Sequence, residues 1–332
     1  MRVFSSPNGL CIANGASILV DPKGSPSESF VVSHAHFDHL AFSKNSESKV
    51  LSTPETLALA DSRKKGTKNV QALAFGKKAQ VGDLGVSLYS SCHILGSAQT
   101  LVEGEKRVAV TSDLQLLPSL LLPEAPVLAC DWLVIESTFG LPSFKFPPRE
   151  KVYEEMAHWI KREVQEGNFV VLAGYVLGKA QELTKIVNEF TPFAPLVHES
   201  VFNFNELYGK MGAKLGEFEK LDHNAKDFNV LILPPSLCNH SVLDALQYSI
   251  GRKVSAAMAT GWNFHSPHFD RMFALSDHAD FEQLLRYVKD SGAKKVYTHH
   301  GYCKEFARHV QRQTRVPAQA LEDSGQKRLD EW

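Results

Sequence analysis

Four side chains able to bind a metal fall within six residues, His34-Ala35-His36-Phe37-Asp38-His39, directly after the apolar stretch Phe30-Val31-Val32. Neutral imidazole suits zinc, and a carboxylate suits zinc or manganese. The mixture therefore fits a borderline metal better than a calcium cage or an all-thiolate structural site. The apolar stretch reads as a buried strand. A loop leaving its end turns His34 and His36 onto one ion while Asp38 and His39 face a second. Paired ions of this kind clamp a phosphate ester or polarise a carbonyl for hydrolysis. The bland alternative, a solvated surface turn, does not account for so dense a set of ligand types.

Such a centre needs strands that deliver polar groups from their ends. Phe30 to Val32 precedes His34, Val108 to Val110 precedes Asp113, Trp132 to Ile135 precedes Glu136, and Lys295 to Tyr297 precedes His300. Between these runs lie helical patterns. Val152, Met156, Trp159, Ile160 and Val164 follow three-and-four spacing up to Gly167, and Phe281, Leu284, Leu285 and Val288 do so before Gly292. A strand at Phe169–Leu172, a helix at Gly178–Phe190 and a strand at Val230–Leu233 suggest a smaller α/β unit with parallel strands. Where that first strand turns into the helix, Gly174-Tyr175-Val176-Leu177-Gly178-Lys179 is either a phosphate seat with Lys179 as a point charge or a plain helix start.

The hexad resembles the signature of the metallo-β-lactamase fold, and further motifs follow in the order of that family. Asp21 in Ile18-Leu19-Val20-Asp21-Pro22 matches the early acid that supports the metal site without usually ligating it. His93 in Cys92-His93-Ile94-Leu95-Gly96-Ser97 matches the third-motif histidine. Asp113 matches the acid that bridges the ions, although Ser112 stands where the family more often has glycine. Ile135-Glu136-Ser137-Thr138, Leu275-Ser276-Asp277-His278-Ala279-Asp280 and Val296-Tyr297-Thr298-His299-His300-Gly301 resemble motifs A, B and C of the β-CASP branch, whose members act on nucleic acids. Artemis-type members lack the last histidine. The whole pattern is most similar to the short ligase-associated DNA exonucleases and the archaeal mRNA 3'-end processing factors. One departure is the stretch Asn263 to Arg271, expected to be arginine-rich in that group, which carries His265 and His268 instead.

The resemblance implies an α/β chain: a metallo-β-lactamase αββα sandwich at 1–146 and 269–332, with an inserted β-CASP α/β cap at 147–268 that places substrate in the intervening cleft. It implies two zinc ions, with manganese as the alternative. His34, His36 and His93 would hold the first, Asp38, His39 and His300 the second, and Asp113 both. His278 rather than a metal ligand would protonate the leaving oxygen, with Glu136 orienting it and favouring its charged form. The implied activity is metal-dependent phosphodiester hydrolysis, favouring an exonuclease on single-stranded DNA in repair, with a DNA ligase or helicase as partners. The alternatives are RNA 3'-end processing, a small-molecule hydrolase of the same fold, and an inactive scaffold. The small-molecule reading gives no reason for Glu136 and His278, and a scaffold gives no reason for a full ligand set.

Composition is compatible with this. The 332 residues hold 36 Lys plus Arg against 37 Asp plus Glu, a net charge of −1, so no global basic field announces nucleic acid. The densest basic run, Arg63-Lys64-Lys65-Gly66-Thr67-Lys68, is either a solvated loop or a backbone-contact patch. The five cysteines are odd in number and widely spaced, which favours a reducing, cytoplasmic compartment over a disulfide framework. Cys92, beside His93, either reaches the site or is a small buried hydrophobe. The N-terminal residues lack an apolar core of signal-peptide length, and the longest apolar region, Leu114 to Ile135, is broken by Pro118, Pro123, Glu124, Pro126 and Asp131.

Overall fold

In the computed structural model, residues 1–42, 47–65, 68–222, 225–262 and 266–321 are described. Residues 263–265, 66 and 67, on which two of the expectations above fall, lie outside them. The chain divides into two compact units. The first comprises Met1–Pro118, Pro123–Lys145 and the stretch from His278 on; the second comprises Ser119–Leu122 and Phe146–Asp277.

Two sheets build the first unit. One runs in chain order through Arg2–Ser6, Gly9–Ala13, Ser17–Val20, Ser29–Val31, Val50–Ser52 and Val70–Ala72, antiparallel at its start and parallel from Ser17–Val20 on. The other has the order Ala318–Ala320, Lys295–His299, Trp132–Glu136, Arg107–Val110, Ala98–Glu103, Leu84–Ser90 and Lys78–Val81. Side chains alternate between the faces of a strand, and here the inward sets meet. Leu84, Val86 and Leu88 share one buried core with Ile12, Ile18 and Val20 of the first sheet. That burial is what fixes the register, because a one-residue slip would turn each set toward solvent. Helix Cys303–Thr314 packs against Lys295–His299 and Ala318–Ala320, and helix Phe281–Asp290 against Trp132–Glu136.

The second unit is a six-stranded parallel sheet in the order Glu219–Lys220, Leu196–Val197, Val230–Leu233, Phe169–Ala173, Val254–Thr260, Arg271–Ala274. The alternation along Phe169–Ala173 separates two cores. Val170 and Leu172 pack with Met156 and Ile160 of helix Arg149–Gln165 and with Leu183 of helix Lys179–Phe190, while Phe169 and Val171 face the other side with Leu246 and Ile250 of helix His240–Ile250. A parallel sheet covered on both faces explains why its central strands are apolar throughout. The strand Arg271–Ala274 closes this sheet. The second unit accordingly runs to Asp277, beyond the boundary at 268 expected from the sequence. Among the described residues, no helix is long and apolar enough to cross a membrane.

Candidate metal centre

Parallel pairing brings the polar groups of the first unit to common sheet edges. Strands Arg107–Val110, Trp132–Glu136 and Lys295–His299 are parallel neighbours, so Asp113, Glu136 and His300 emerge at the same ends, as ligands do in open parallel sheets. In the other sheet, Val20 pairs in parallel with Val31, so Asp21 and the Ser33-His34 segment leave side by side. Asp21 takes up a left-handed φ of 49° and fastens the hexad. It accepts from the Ser33 amide at 2.7 Å, the Ser33 hydroxyl at 2.5 Å and His39 Nδ1 at 2.7 Å. His93 hangs in the loop after Leu84–Ser90, where Ser97 Oγ accepts from the amides of His93 and Ile94, both at 3.1 Å. Ser112 sits at φ 48°, the left-handed conformation that explains why glycine is common before the bridging acid.

The structure brings together every residue expected to hold a metal. His34, His36, His93 and Asp113 form one group, and Asp38, His39 and His300 another; within each, one ligand atom per residue lies within 4.8 Å of the others. A third overlapping group is Asp21, His34 and His39. His299 belongs to none of them. In the first group His36 Nδ1 is 3.1 Å from His34 Nε2 and 3.0 Å from His93 Nε2, and Asp113 Oδ2 is 3.5 Å from His34 Nε2 and 3.6 Å from His93 Nε2. A tetrahedral ion with nitrogen ligands near 2.05 Å needs ligand atoms about 3.3 Å apart, so the donor set has the right span. Asp113 Oδ2 also lies 3.5 Å from His39 Nε2, which puts this carboxylate in reach of both groups.

The chemistry of the donors fits a cation as well. Burial, then the neighbouring imidazoles, holds His34 well below the usual histidine range, so it has the neutral form that a metal ligand needs. His39 is raised well above it: burial works the other way, but the Asp113 and Asp21 carboxylates prevail. His39 Nδ1 is committed to Asp21, whereas its buried Nε2 has no hydrogen-bond partner and faces Asp38 and Asp113, each at 3.5 Å. A positive charge belongs at that point, and a divalent ion supplies it better than a proton. The Nδ1–Asp21 bond then has the form of the carboxylate contacts that orient metal-binding histidines.

His278 lies beside this centre without joining it. Its ring centroid is 4.6 Å from that of His93, and its Nδ1 is 3.0 Å and 3.1 Å from the two oxygens of Glu136. Glu136 is buried and also accepts from the Leu114 amide at 2.5 Å, so it cannot swing away. Motif A further supports motif C: the Ser137 hydroxyl donates to the His300 carbonyl at 2.5 Å, and the Tyr302 amide donates to the Ser137 carbonyl at 2.8 Å. Gly301 between them has φ 62°, and a Cβ there would come within 2.5 Å of Ser137 O and Thr138 Cα.

Three further residues lie outside the donor groups. Lys179 is no point charge for a phosphate, because its buried Nζ donates to Asp277 at 2.6 Å and Glu182 at 3.3 Å. The segment is a helix start, with the Gln181 side chain accepting from the Gly178 amide at 2.7 Å. Glu182 also pairs with Arg149 and accepts from the Tyr153 hydroxyl at 2.7 Å, and Arg149 donates to the Ser276 carbonyl at 2.6 Å. This buried network, missed in the sequence, grips the residues just before His278. Cys92 is buried, with its thiol donating to the Leu117 carbonyl at 3.3 Å, and joins no metal group. His268 packs its ring 4.3 Å from that of His240, again outside those groups.

No family model matches the chain. Its sequence is similar to a probable DNA ligase of Opitutus terrae, 30% identical over 312 residues, covering 92% of this chain and 30% of that protein. It is also similar to the RNase J-like protein of Methanocaldococcus jannaschii, 26% identical over 49% of this chain and 44% of that protein, and to RNase aCSPSF2 of Saccharolobus solfataricus, 29% identical over 48% and 38%. The chain thus spans less than half the length of these relatives. A crystal structure of a protein of unknown function from Enterococcus faecalis V583 superposes over 98% of both chains with a TM-score of 0.66 at 13% identity, which establishes likeness of fold. The two-sheet unit, the parallel α/β unit and these relatives agree with the β-CASP branch of the metallo-β-lactamase fold that the motifs resemble.

Proposed function

We propose that this protein is a two-metal phosphodiesterase that hydrolyses nucleic acid, and specifically an exonuclease on single-stranded DNA acting in repair in the cytoplasm. The observation that carries the chemistry is the pair of neighbouring donor groups, with Asp113 of the first 3.5 Å from His39 of the second and His278 set beside them. His34, His36 and His93 would hold one ion and Asp38, His39 and His300 the other, with Asp113 available to both; zinc fits the imidazole-rich set best, and manganese is the alternative. Bound there, two divalent ions supply charge neutralisation for a phosphodiester and an acidified water. Asp21 orients His39 and the hexad. His278, its Nδ1 held by Glu136, serves through its other ring nitrogen as the proton donor to the leaving oxygen. The second unit serves as the β-CASP cap.

DNA is favoured because the relative aligned with nearly the whole chain is a probable DNA ligase, where a region like this one forms part of the same polypeptide. RNA is the second reading, favoured by the ribonuclease names of the two archaeal relatives. The test compares initial rates on end-labelled single-stranded DNA, duplex DNA and RNA of one sequence, with His34→Ala as control. Single-stranded DNA cut fastest supports the first reading. RNA cut tenfold faster replaces it with the second, and no cleavage of any polymer overturns both.

A further inference from the structure

The hexad carries two residues that neither metal binding nor proton transfer uses, and of these Ala35 is buried while Phe37 is not. Phe37 lies between His36 and Asp38, at the start of the 3₁₀ turn Phe37–Leu40, and is 62% exposed. Phenylalanine is ordinarily buried, so a lone ring left in water beside a reactive centre calls for an explanation. The surroundings are specific. Across the centre, the His34 and Asp113 side chains are 1% and 8% exposed but that of Asp38 is 61%, so the donor groups open to solvent at Asp38, next to Phe37. One side of the ring is already taken: the Arg63 guanidinium carbon sits 4.3 Å from its centroid. Arg63 caps the end of helix Pro54–Ser62 and opens the basic run that the sequence left unassigned. The following Lys64 is exposed at φ 58°.

An aromatic ring backed by arginine and flanked by lysine is the construction that binds single strands without regard to sequence: the base stacks on the ring and the cations follow the phosphates. We propose that Phe37, held by Arg63, is a stacking platform for one nucleobase next to the phosphodiester bound at the metal groups, and that Arg63 and Lys64 meet the adjoining phosphates. This rests on the nuclease reading and adds a binding site for the base to a centre that otherwise recognises phosphate. The ring has no means of reading a sugar or a base edge, so the platform serves DNA and RNA alike.

The test is an equilibrium one on the full-length protein. Affinity for a short fluorescent phosphorothioate strand is measured by anisotropy, using the intact strand and a series in which one nucleotide at a time is abasic. Phe37→Ala is expected to weaken binding about five- to a hundredfold, the usual worth of one stacked base. One abasic position should cost the wild type a similar factor and cost Phe37→Ala nothing further. Phe37→Tyr should retain wild-type affinity and Phe37→Leu should not, which separates stacking from apolar bulk, with thermal midpoints of all variants compared to establish that they fold. Equal affinities for wild type and Phe37→Leu, or the same abasic penalties in wild type and Phe37→Ala at every position, overturn the platform and leave the nuclease reading standing. Failure of the wild type to bind any strand overturns both.

Discussion

His278 Nδ1 is 3.0 Å and 3.1 Å from the two carboxylate oxygens of Glu136, so the ring is fixed through one nitrogen. Because His278 lies outside the donor groups, its substitution separates proton transfer from metal binding. His278→Ala should keep full metal content by elemental analysis yet lose roughly 10²- to 10⁴-fold in rate. The loss should shrink on a nitrophenyl phosphodiester, whose leaving group needs no proton. Equal losses on both substrates would contradict the role.

Asp21 touches His39 and Ser33 rather than standing alone as a ligand. Asp21→Ala should weaken metal binding about 10- to 100-fold, the usual effect of removing such a partner, as read by competition with a chromophoric chelator. Asp38→Ala or His300→Ala should instead leave about one ion per chain. An Asp21 variant with wild-type affinity would show that His39 is oriented by other means.

Gly301 is a position where backbone geometry and packing leave room for no side chain. Gly301→Ala should cost about 1–2 kcal/mol for the left-handed conformation, and more from the contact with Ser137 and Thr138. It should also reduce occupancy of the ion held by His300. An unchanged thermal midpoint together with two bound ions would refute the packing argument.

The network in the second unit makes a pH prediction. Burial pushes the Glu182 carboxyl up, but Arg149 and Lys179 outweigh it and leave it below the usual range. A lowered folded-state pKa stabilises above the unfolded value of about 4.3 and is lost as pH falls through the folded one. Stability should therefore drop below about pH 4.3, and Glu182→Gln should flatten that part of the profile. The same substitution should cost about 3–5 kcal/mol at neutral pH, because it leaves the buried Arg149 without its partner. Denaturant midpoints between pH 3 and 7 check both.

The candidate metal residues were legible because they stand near the ends of apolar runs with their chemistry concentrated in short motifs. His34 to His39 is the extreme case, and the parallel strands ending near Asp113, Glu136 and His300 could be read from their β-branched runs. What stayed hidden depends on partners far apart in the chain. Lys179 looked free for a phosphate until Asp277, 98 positions away, took its charge. Phe37 carried no reading of its own and Arg63 only that of its basic run, and only the fold sets one over the other. The strands Arg2–Ser6 and Gly9–Ala13 have little sequence signal of their own, since their residues are mixed and their register is set by pairing. Arg271–Ala274, a short edge strand of mixed burial, shifts the domain border for the same reason.

The most direct test of the two-metal account is a metal titration of stripped protein on end-labelled single-stranded DNA. Chelated, dialysed protein should be inactive, and the initial rate should return with zinc or manganese, reaching its plateau near two ions per chain, while His34→Ala remains inactive throughout. Stripped protein that cleaves as fast as the untreated sample, or a His34→Ala protein that does so, would contradict the account.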